Sequence, residues 1–367
     1  MTNLIVSVLV ISGIGAVLAL LLELADRFIA DYGECQIRIN KQKELTVQGG
    51  SPLLFTLQDE GIFIPSACGG KGTCAYCKVK VLDGGGPVLP TELPYLVPEE
   101  LEEHVRLSCQ VKVRNSLEIE IPEELFFIEE FRVTADRIED LTPYIKGVTL
   151  AIVGPEEGIA YKPGQYIQLE IPKYKLSSAP EFRAFSMASI PGKGQKIELF
   201  IGLVEKGIVS TYVHEYLKEG DELLMRGPFG DFYYRDSGRE ILMIATGTGL
   251  APILSILRHM RKEKIPRKTT LFFGTRVEED LYCVEELEEL EKELPDFSYI
   301  PTLSRVRAGS SWEGERGRVT DLIEKRISEG DDLDVYICGS AEMVESCFSL
   351  LKKKGIPEDQ IYFDKFS

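Results

Sequence analysis

The stretch Cys68-Gly-Gly-Lys-Gly-Thr-Cys-Ala-Tyr-Cys77 spaces three cysteines as C-x5-C-x2-C, and a fourth, Cys109, follows after 31 residues. Thiolates from one loop and one distant strand can enclose two ferric ions, and the glycines let the backbone approach the sulfurs closely. The alternative, a zinc site, favours two short-spaced cysteine pairs, and Cys109 has no cysteine beside it. The spacing therefore predicts an iron-sulfur cluster with four ligands: Cys68, Cys74, Cys77 and Cys109.

The length and charge of the chain limit its class. With 367 residues it is too long for one ordinary core, so we expect two or three domains. A net charge of −17 repels phosphate backbones and anionic headgroups, which argues against nucleic-acid binding and against electrostatic attachment to a membrane. The eight cysteines are too few for a disulfide scaffold in a chain this long, which indicates a reducing compartment.

The amino-terminal segment carries no charged residue from Leu4 to Leu22. Its 19 residues, at a rise of about 1.5 Å each, make a helix of roughly 28 Å, close to the thickness of the hydrocarbon core. A signal peptide or a buried helix is the alternative, but the segment has no basic start and no small-residue cleavage site. The sequence predicts a single transmembrane helix, with an anchor at residues 1–26 and the membrane span at residues 4–22.

Three patterns of hydrophobicity follow this segment. Short alternating stretches from Cys35 to Ile121, among them one from Val105 to Val113, predict a mixed sheet. Closely spaced strands and turns from Phe131 to Phe232 are typical of an antiparallel barrel. After Gly238, apolar strands alternate with helices, as in a doubly wound parallel sheet. The predicted fold class is multidomain, α+β and α/β, with soluble domains at residues 33–126, 127–236 and 237–367.

The segment Arg183-Ala-Phe-Ser-Met-Ala188 resembles the R-x-aromatic-S flavin motif of the ferredoxin-NADP reductase superfamily. The resemblance implies that Arg183 holds the FAD pyrophosphate, that Phe185 stacks on the flavin, and that Ser186 reaches the flavin edge where hydride arrives. By itself the motif is short and also fits a strand that exposes an arginine. It gains weight from Gly207-Ile-Val-Ser-Thr211, which resembles the second phosphate loop of the superfamily. The FAD ligands expected in that loop are Gly207, Val209, Ser210 and Thr211.

The segment Ala245-Thr-Gly-Thr-Gly-Leu-Ala-Pro252 runs from a predicted strand through a glycine turn into a predicted helix. A helix N-terminus with unpaired N–H groups can hold a dinucleotide pyrophosphate, so we expect the turn to bind NADH through Gly247, Thr248 and Gly249. Cys338-Gly339 resembles the cysteine-glycine step under the nicotinamide in the superfamily, and Phe366 stands where the superfamily commonly covers the flavin face. The alternatives are a buried strand cysteine at Cys338 and, at Phe366, a terminal aromatic that packs on the surface. The implied catalytic residues are Ser186, Cys338 and Phe366.

Some polar residues have two interpretations. Arg276 and Arg305, at the next predicted strand ends, either contact the adenosine half of the cofactor or are solvated surface charges. If either grips a 2′-phosphate, NADPH also serves, so this choice stays open. We assign Cys35, Cys283 and Cys347 to the core, and none of the histidines has a spacing that suggests metal or triad chemistry.

The whole chain resembles one family. The cysteine loop is similar to that of a [2Fe-2S] ferredoxin domain, with a first gap one residue longer than in the plant-type pattern. The order of anchor, β-grasp ferredoxin, flavin barrel and nicotinamide domain resembles the NADH-oxidising F subunit of bacterial sodium-translocating NADH:quinone oxidoreductases. Phe185 replaces the usual tyrosine and Ser340 the usual proline, and these departures bear on the tuning of the flavin rather than on the reaction class.

This resemblance implies a function and a location. NADH reduces FAD, electrons then pass singly through the [2Fe-2S] cluster, and other membrane subunits of a quinone-reducing complex accept them. The protein is expected in the bacterial inner membrane, as a single-pass protein with its soluble domains facing the cytoplasm.

Two other functions fit parts of the sequence. A reductase component that feeds an oxygenase has the same three modules but is normally soluble, and the predicted anchor argues against it. A redox-sensing module, in which the cluster only reports redox state, needs no intact nicotinamide site. NADH-dependent bleaching of the flavin separates this sensor from the enzyme.

Overall fold

The computed structural model describes residues 12–20, 32–155, 157–192, 196–307 and 309–366. Residues 12–20 are helical and are called α1. Within the described ranges, no helix is long and apolar enough to cross a membrane. Of the span predicted at residues 4–22, residues 4–11 and 21–22 lie outside the described residues. The chain divides into a first unit, Met1–Ser66 with Gly70–Phe127, and a second unit, Ala67–Gly69 with Ile128–Ser367.

The first unit contains a five-stranded mixed sheet. Its strands are β1 (Glu34–Ile39), β2 (Lys43–Gln48), β3 (Lys78–Asp83), β4 (Val105–Leu107) and β5 (Leu117–Glu120), in the order β2-β1-β5-β3-β4. Neighbours pair antiparallel except β1 and β5, which pair parallel. The helices are α2 (Leu53–Asp59) and α3 (Pro98–Glu102), and α2 buries Leu53, Leu54 and Leu57 on one face. This strand order is that of a β-grasp sheet.

One predicted strand in this unit was wrong over most of its length. The sequence pattern extends from Val105 to Val113, but β4 ends at Leu107. The chain turns there, because the N–H groups of Gln110 and Val111 both donate to the Leu107 carbonyl, at 2.8 and 3.1 Å. The turn places Cys109 outside the sheet. The alternating hydrophobic pattern of the sequence does not reveal this turn.

The second unit begins with a six-stranded antiparallel sheet. Its strands are β6 (Glu129–Thr142), β7 (Ile145–Gly154), β8 (Tyr166–Ile171), β9 (Glu181–Ser186), β10 (Lys196–Gly202) and β11 (Glu222–Phe229), in the order β10-β7-β6-β11-β8-β9. Met187, just after β9, pairs with Leu199 of β10, so the two edge strands meet and the sheet closes as a barrel. Alternate residues fill the interior, among them Leu169 and Ile171, both fully buried. Helix α4 (Ile208–Glu215) lies between β10 and β11 along the chain.

The rest of the second unit is a six-stranded parallel sheet with helices. The strands are β12 (Glu240–Thr246), β13 (Thr269–Thr275), β14 (Phe297–Leu303), β15 (Glu315–Arg316), β16 (Leu333–Ser340) and β17 (Ile361–Phe366), and the helices are α5 (Leu250–Glu263), α6 (Val284–Glu293), α7 (Val319–Arg326) and α8 (Ala341–Lys353). The strand order is β15-β14-β13-β12-β16-β17. Strand β12 buries both faces, as its apolar run predicts, because separate hydrophobic clusters cover Met243 and Ile244. The order reverses between β12 and β16, and such a switch point opens a crevice at the carboxyl ends of the strands.

Candidate cofactor sites

The loop between α2 and β3 carries three of the four predicted cluster ligands. Its backbone has positive φ angles of 65°, 79° and 76° at Gly69, Gly70 and Gly72, which glycine adopts without steric cost. At Gly72 space matters too, because a Cβ atom would stand 2.7 Å from Nε2 of Gln110. The N–H of Gly70 donates to Oγ of Ser66 at 3.0 Å. The glycines thus permit the tight path that the cysteine spacing requires.

Two of the predicted ligands lie side by side. Sγ of Cys77 is 3.3 Å from Sγ of Cys109, and both side chains are buried. The hydrogen bond to Cys109, together with burial, raises the pKa of Cys77 well above its ordinary value. Cys68 is also buried, and Cys74 is half-buried. Among the described residues, no three His, Cys, Asp or Glu side chains converge as ligands of one metal ion. The assignment of all four cysteines to a cluster therefore stays a prediction.

A buried ion pair supports the strand that leads to Cys109. Nη2 of Arg106 lies 2.6 Å from a carboxylate oxygen of Glu92, whose side chain is fully buried. Arg106 also donates to the Pro87 carbonyl at 3.0 Å, and Glu92 accepts a hydrogen bond from the Leu107 N–H at 3.0 Å. Burial alone would raise the pKa of Glu92, but hydrogen bonds from Arg106 and from backbone N–H groups hold it below its ordinary value. Sequence reasoning missed the pair, because neither residue has a spacing that marks it.

The predicted flavin motif covers the end of β9. The hydroxyl of Ser186 is buried and has no hydrogen-bond partner among the described residues. A buried hydroxyl without a partner costs about 1–3 kcal/mol, so this atom fits the polar edge of a bound flavin. Phe185 is half-buried against the barrel core. The Arg183 guanidinium donates to the Phe182 carbonyl at 2.6 Å and pairs with Glu181 at 3.3 Å, so it is directed at its own strand.

The second predicted phosphate loop leads into α4, for which Gly207 is the N-cap. Oγ of Ser210 accepts a hydrogen bond from the Val204 N–H at 3.1 Å, and the Thr211 N–H donates to the Gly207 carbonyl at 3.0 Å. A Cβ at Gly207 would come within 2.5 Å of Oγ of Ser210. Val209 is buried. The Ser210 side chain therefore shapes the loop, and the phosphate donors left are the N–H groups of the first helical turn.

The predicted nicotinamide turn joins β12 to α5 through Gly247–Gly249, and Thr248 is half-buried within it. Gly247 has a φ of 54°, and its carbonyl accepts a hydrogen bond from the Tyr282 hydroxyl at 2.8 Å. Gly249 has an ordinary φ of −62°, but a Cβ there would stand 2.2 Å from the Cys338 carbonyl oxygen. Glycine thus lets the start of α5 approach the end of β16. The turn and Cys338 meet at the carboxyl edge of the sheet, although 88 residues separate Gly249 from Cys338.

Cys338 is fully buried in β16. Burial, and next the Asp364 carboxylate, raise its pKa well above the ordinary value, so the thiol is neutral and is not a nucleophile. A Cβ at Gly339 would lie 2.3 Å from Oγ1 of Thr246, so this position also needs a small residue. Phe366 ends β17 and is half-buried against the core cluster that includes Cys338.

The two arginines at the strand ends are close neighbours. The Arg305 N–H donates to the Arg276 carbonyl at 2.8 Å, which joins the ends of β13 and β14. Nε of Arg276 lies 3.2 Å from Oδ2 of Asp280, and the Arg276 side chain is 62% exposed. The Asp280 carboxylate neutralises part of the positive charge of Arg276, the charge that would bind a 2′-phosphate.

A network of ion pairs and hydrogen bonds joins the barrel to the parallel sheet. No sequence motif indicates this network. Arg258 on α5 donates to the Ala188 carbonyl at 3.0 Å and pairs with Glu286 at 2.7 Å and with Glu198. Burial alone would lower the pKa of Arg258, but the two carboxylates hold it above its ordinary value. Oγ of Ser255 donates to the Ser189 carbonyl at 2.5 Å. These bonds hold α5 against the residues that follow the flavin motif.

Comparison with protein families defines the class. Three family models match in chain order: the 2Fe-2S iron-sulfur cluster binding domain at residues 37–114, the Oxidoreductase FAD-binding domain at residues 133–234, and the Oxidoreductase NAD-binding domain at residues 243–348. The chain is therefore an oxidoreductase that uses FAD, a nicotinamide cofactor and a [2Fe-2S] cluster.

Curated relatives narrow the class to one family. The F subunit of the Na(+)-translocating NADH-quinone reductase of Neisseria meningitidis serogroup C is 33% identical over 404 residues, which cover 99% of this chain and 99% of that protein. The F subunit of the same reductase in Methylococcus capsulatus is 32% identical over 375 residues, covering 91% and 92%. This chain belongs to the family formed by the F subunits of Na(+)-translocating NADH-quinone reductases.

Solved structures share the fold. A cytochrome P450 reductase from Amycolatopsis matches with a TM-score of 0.73 at 25% identity, over 90% of this chain and 98% of that one. The ferredoxin reductase of a carbazole 1,9a-dioxygenase matches with a TM-score of 0.71 at 25% identity, over 91% and 98%. The ferredoxin-reductase-like multidomain fold is thus confirmed.

Proposed function

We propose that this chain oxidises NADH as the F subunit of a sodium-translocating, quinone-reducing complex in the bacterial inner membrane. When bound, FAD accepts hydride from NADH and the [2Fe-2S] cluster carries single electrons onward. Other membrane subunits then receive those electrons. The observation that carries the proposal is the buried hydroxyl of Ser186, which has no hydrogen-bond partner within the described ranges and lies in the same compact unit as the glycine turn beside Cys338.

The residues of the second unit divide the work of hydride transfer. Ser186 supplies a hydrogen bond at the reacting edge of the flavin, and Phe185 supplies a stacking surface. Gly249 lets the start of α5 approach the end of β16 at Cys338, and the nicotinamide ring binds at this carboxyl edge of the sheet. Because its thiol is neutral, Cys338 orients that ring by contact alone. Phe366 covers the flavin face until nicotinamide displaces it.

The remaining assignments follow the same pattern. Arg183 and the loop residues Gly207, Val209, Ser210 and Thr211 hold FAD, with Arg183 turning from the Phe182 carbonyl to reach it. Gly247, Thr248, Arg276 and Gly339 hold NADH. The cluster ligands are Cys68, Cys74, Cys77 and Cys109. The domains are an anchor at residues 1–26, the ferredoxin domain at residues 33–126, the FAD barrel at residues 127–236, and the NADH domain at residues 237–367.

The anchor crosses the membrane once through residues 4–22 and leaves the soluble domains in the cytoplasm, where NADH is available. The uncharged sequence of this segment supports the proposal. Tethering replaces a bimolecular encounter with the partner subunits by a high local concentration. Loss of the anchor should therefore affect only the transfer to those partners.

Deletion of residues 1–26 tests the proposal in membranes that contain the partner subunits. NADH:ferricyanide activity should stay near the native rate, whereas NADH:quinone activity at low protein concentration should fall about 100-fold or more, in line with the effective concentrations of tethered partners. If the truncated chain kept the native NADH:quinone activity, the proposed role of the anchor would be wrong.

A second candidate function rests on the solved structures. One of the two structures described above is a cytochrome P450 reductase and the other is the ferredoxin reductase in a carbazole 1,9a-dioxygenase, and each match covers 90% or more of this chain. Under that function, an oxygenase and not a membrane complex accepts the electrons. Copurification of the full chain with membrane subunits favours the first function, and a fully soluble native chain favours the second.

A further inference from the structure

Cys109 is flanked by two polar side chains that no cofactor assignment uses. Ser108 precedes it and Gln110 follows it, in the turn that ends β4. Both belong to the first unit, as do Cys77 and Cys109. The Gln110 amide already contacts the Cys109 sulfur, whereas the Ser108 hydroxyl has no hydrogen-bond partner in the described residues.

Ser108 is held firmly but its hydroxyl is unsatisfied. Its N–H donates to the Cys77 carbonyl at 2.8 Å, and its carbonyl accepts from the Leu54 N–H at 3.1 Å. The side chain is fully buried, and its Oγ has no hydrogen-bond partner in the described part of the chain. Such a hydroxyl destabilises the fold unless a partner is supplied. The backbone bond to Cys77 and the peptide link to Cys109 place Ser108 between two sulfur-bearing residues.

Gln110 already donates to a predicted ligand. Its Nε2 lies 3.7 Å from Sγ of Cys109, within hydrogen-bond reach for sulfur. Oγ1 of Thr91 donates to Oε1 of Gln110 at 3.0 Å, and this bond fixes which end of the amide faces the sulfur. Gly72 leaves the room that the amide occupies. Gln110 thus donates to one predicted ligand, and the Ser108 hydroxyl belongs to the residue just before that ligand.

We propose that Ser108 and Gln110 donate hydrogen bonds to the sulfur atoms of the cluster at Cys109 and thereby raise its reduction potential. Reduction adds an electron, so sulfur carries more negative charge in the reduced cluster and a donor stabilises that form more. The inference rests on the proposed ligand set.

The test is a redox titration of the full chain, followed by the electron paramagnetic resonance signal of the reduced cluster. Ser108→Ala should lower the ratio of reduced to oxidised cluster about tenfold at a fixed ambient potential, a shift of about 59 mV for a one-electron couple. Gln110→Leu should shift it in the same direction. The control is Thr56→Val, which removes a buried hydroxyl whose bond goes to the Pro52 carbonyl of its own helix. Its potential should equal that of the wild type.

The outcomes separate the inference from the proposed function. Wild-type protein without iron and acid-labile sulfide would overturn the ligand set itself. Wild-type protein with a full cluster, combined with unchanged potentials in Ser108→Ala and Gln110→Leu, would overturn only the inference. If Ser108→Ala binds no cluster, Gln110→Leu decides the question alone. In wild-type protein, exchange into D₂O should also remove a proton coupling from the reduced signal that Ser108→Ala lacks.

Discussion

The cysteine loop and the carboxyl edge of the parallel sheet both depend on glycine, for different reasons. Gly69, Gly70 and Gly72 are required by their own positive φ angles, which is a local property of the loop. Gly249 has an ordinary φ of −62°, and it is required because the Cys338 carbonyl oxygen would lie 2.2 Å from a Cβ atom. The first site is specified by neighbours in sequence, and the second by a strand far along the chain.

This difference predicts how each region responds to substitution. A site held by covalent ligands fails completely when one ligand is lost, whereas a site held by packing loses its geometry by degrees. Substitutions in the two regions should also act separately, because the predicted ligands Cys74, Cys77 and Cys109 belong to the first compact unit and the sheet edge to the second.

The largest expected effect is that of Cys74→Ala. The variant should lose nearly all iron and acid-labile sulfide, because each thiolate of the proposed set is a covalent ligand. FAD should stay bound and NADH should still bleach it, since the flavin motif lies in the second unit. Iron and flavin analysis of the purified variant, with a stopped-flow trace of flavin reduction, measures both.

The matched control for this variant is Cys35→Ala. Cys35 is buried in β1 of the same unit, and its Sγ lies 3.8 Å from the Tyr32 carbonyl oxygen. This variant should keep its iron. A full iron content in Cys74→Ala, or one zinc and no iron in the wild type, would contradict the cluster assignment.

The next largest effect should be that of Glu92→Gln, which leaves the buried charge of Arg106 without its carboxylate. Removing one partner of a buried ion pair costs about 3–5 kcal/mol, so the free energy of unfolding should fall by about that amount at pH 7. The cluster absorbance during urea denaturation reports the unfolding of this unit. Glu44→Gln is the control, since its ion pair with Arg38 is exposed and should contribute less than about 1 kcal/mol.

The difference in the free energy of unfolding between wild type and Glu92→Gln should become smaller as the pH falls. The folded-state pKa of Glu92 lies below its ordinary value of 4.5, so the carboxylate contributes stability fully above that pH. The contribution is lost as the pH falls through the folded-state pKa. The two denaturation midpoints should therefore converge in acid, and a constant gap down to pH 3 would contradict the role of the ion pair.

The regions also differ in how well the sequence predicts them. Cysteine and glycine spacing indicated the loop, because its requirements are local. The segments around Ile241 and Thr270 predicted β12 and β13, because strands buried on both faces are continuously apolar. Packing between residues that are distant in sequence produces no comparable sequence pattern. Neither the approach of Gly249 to Cys338 nor the pair of Glu92 with Arg106 could be predicted.

The error in the predicted strand from Val105 to Val113 has the same origin. The alternating residues from Val105 to Val113 predicted one strand, but the hydrogen bonds to the Leu107 carbonyl turn the chain before Cys109. The phosphate-binding role that the resemblance implies for Arg183 stays a prediction, and in the structure its side chain bonds to the Phe182 carbonyl. A motif gives the residue types at a site and not the contacts that their side chains make.

Gly249→Ala tests the packing that sets the sheet edge. The added methyl group meets the Cys338 carbonyl, so α5 and β16 must move apart. A displacement of about 1 Å at a hydride-transfer site costs about 100-fold in rate, and NADH-driven flavin reduction should slow by that factor. The control is Gly192→Ala, because a Cβ there meets no atom of the described residues within 4 Å. A native rate in Gly249→Ala would show that the close approach does not set the nicotinamide geometry.

The smallest expected effect is that of Cys338→Ala. The substitution removes one buried sulfur atom from the end of β16 and leaves the backbone contact with Gly249 in place, so flavin reduction by NADH should slow about tenfold, equivalent to about 1.4 kcal/mol. FAD retention should not change. Because burial keeps the thiol neutral, the ratio of the wild-type rate to the Cys338→Ala rate should stay constant from pH 6 to 9.

Cys347→Ala is the control, since its thiol is equally buried but lies in α8. Stopped-flow traces in the visible flavin band resolve the step, and equal rates in Cys338→Ala and Cys347→Ala would assign Cys338 to the core.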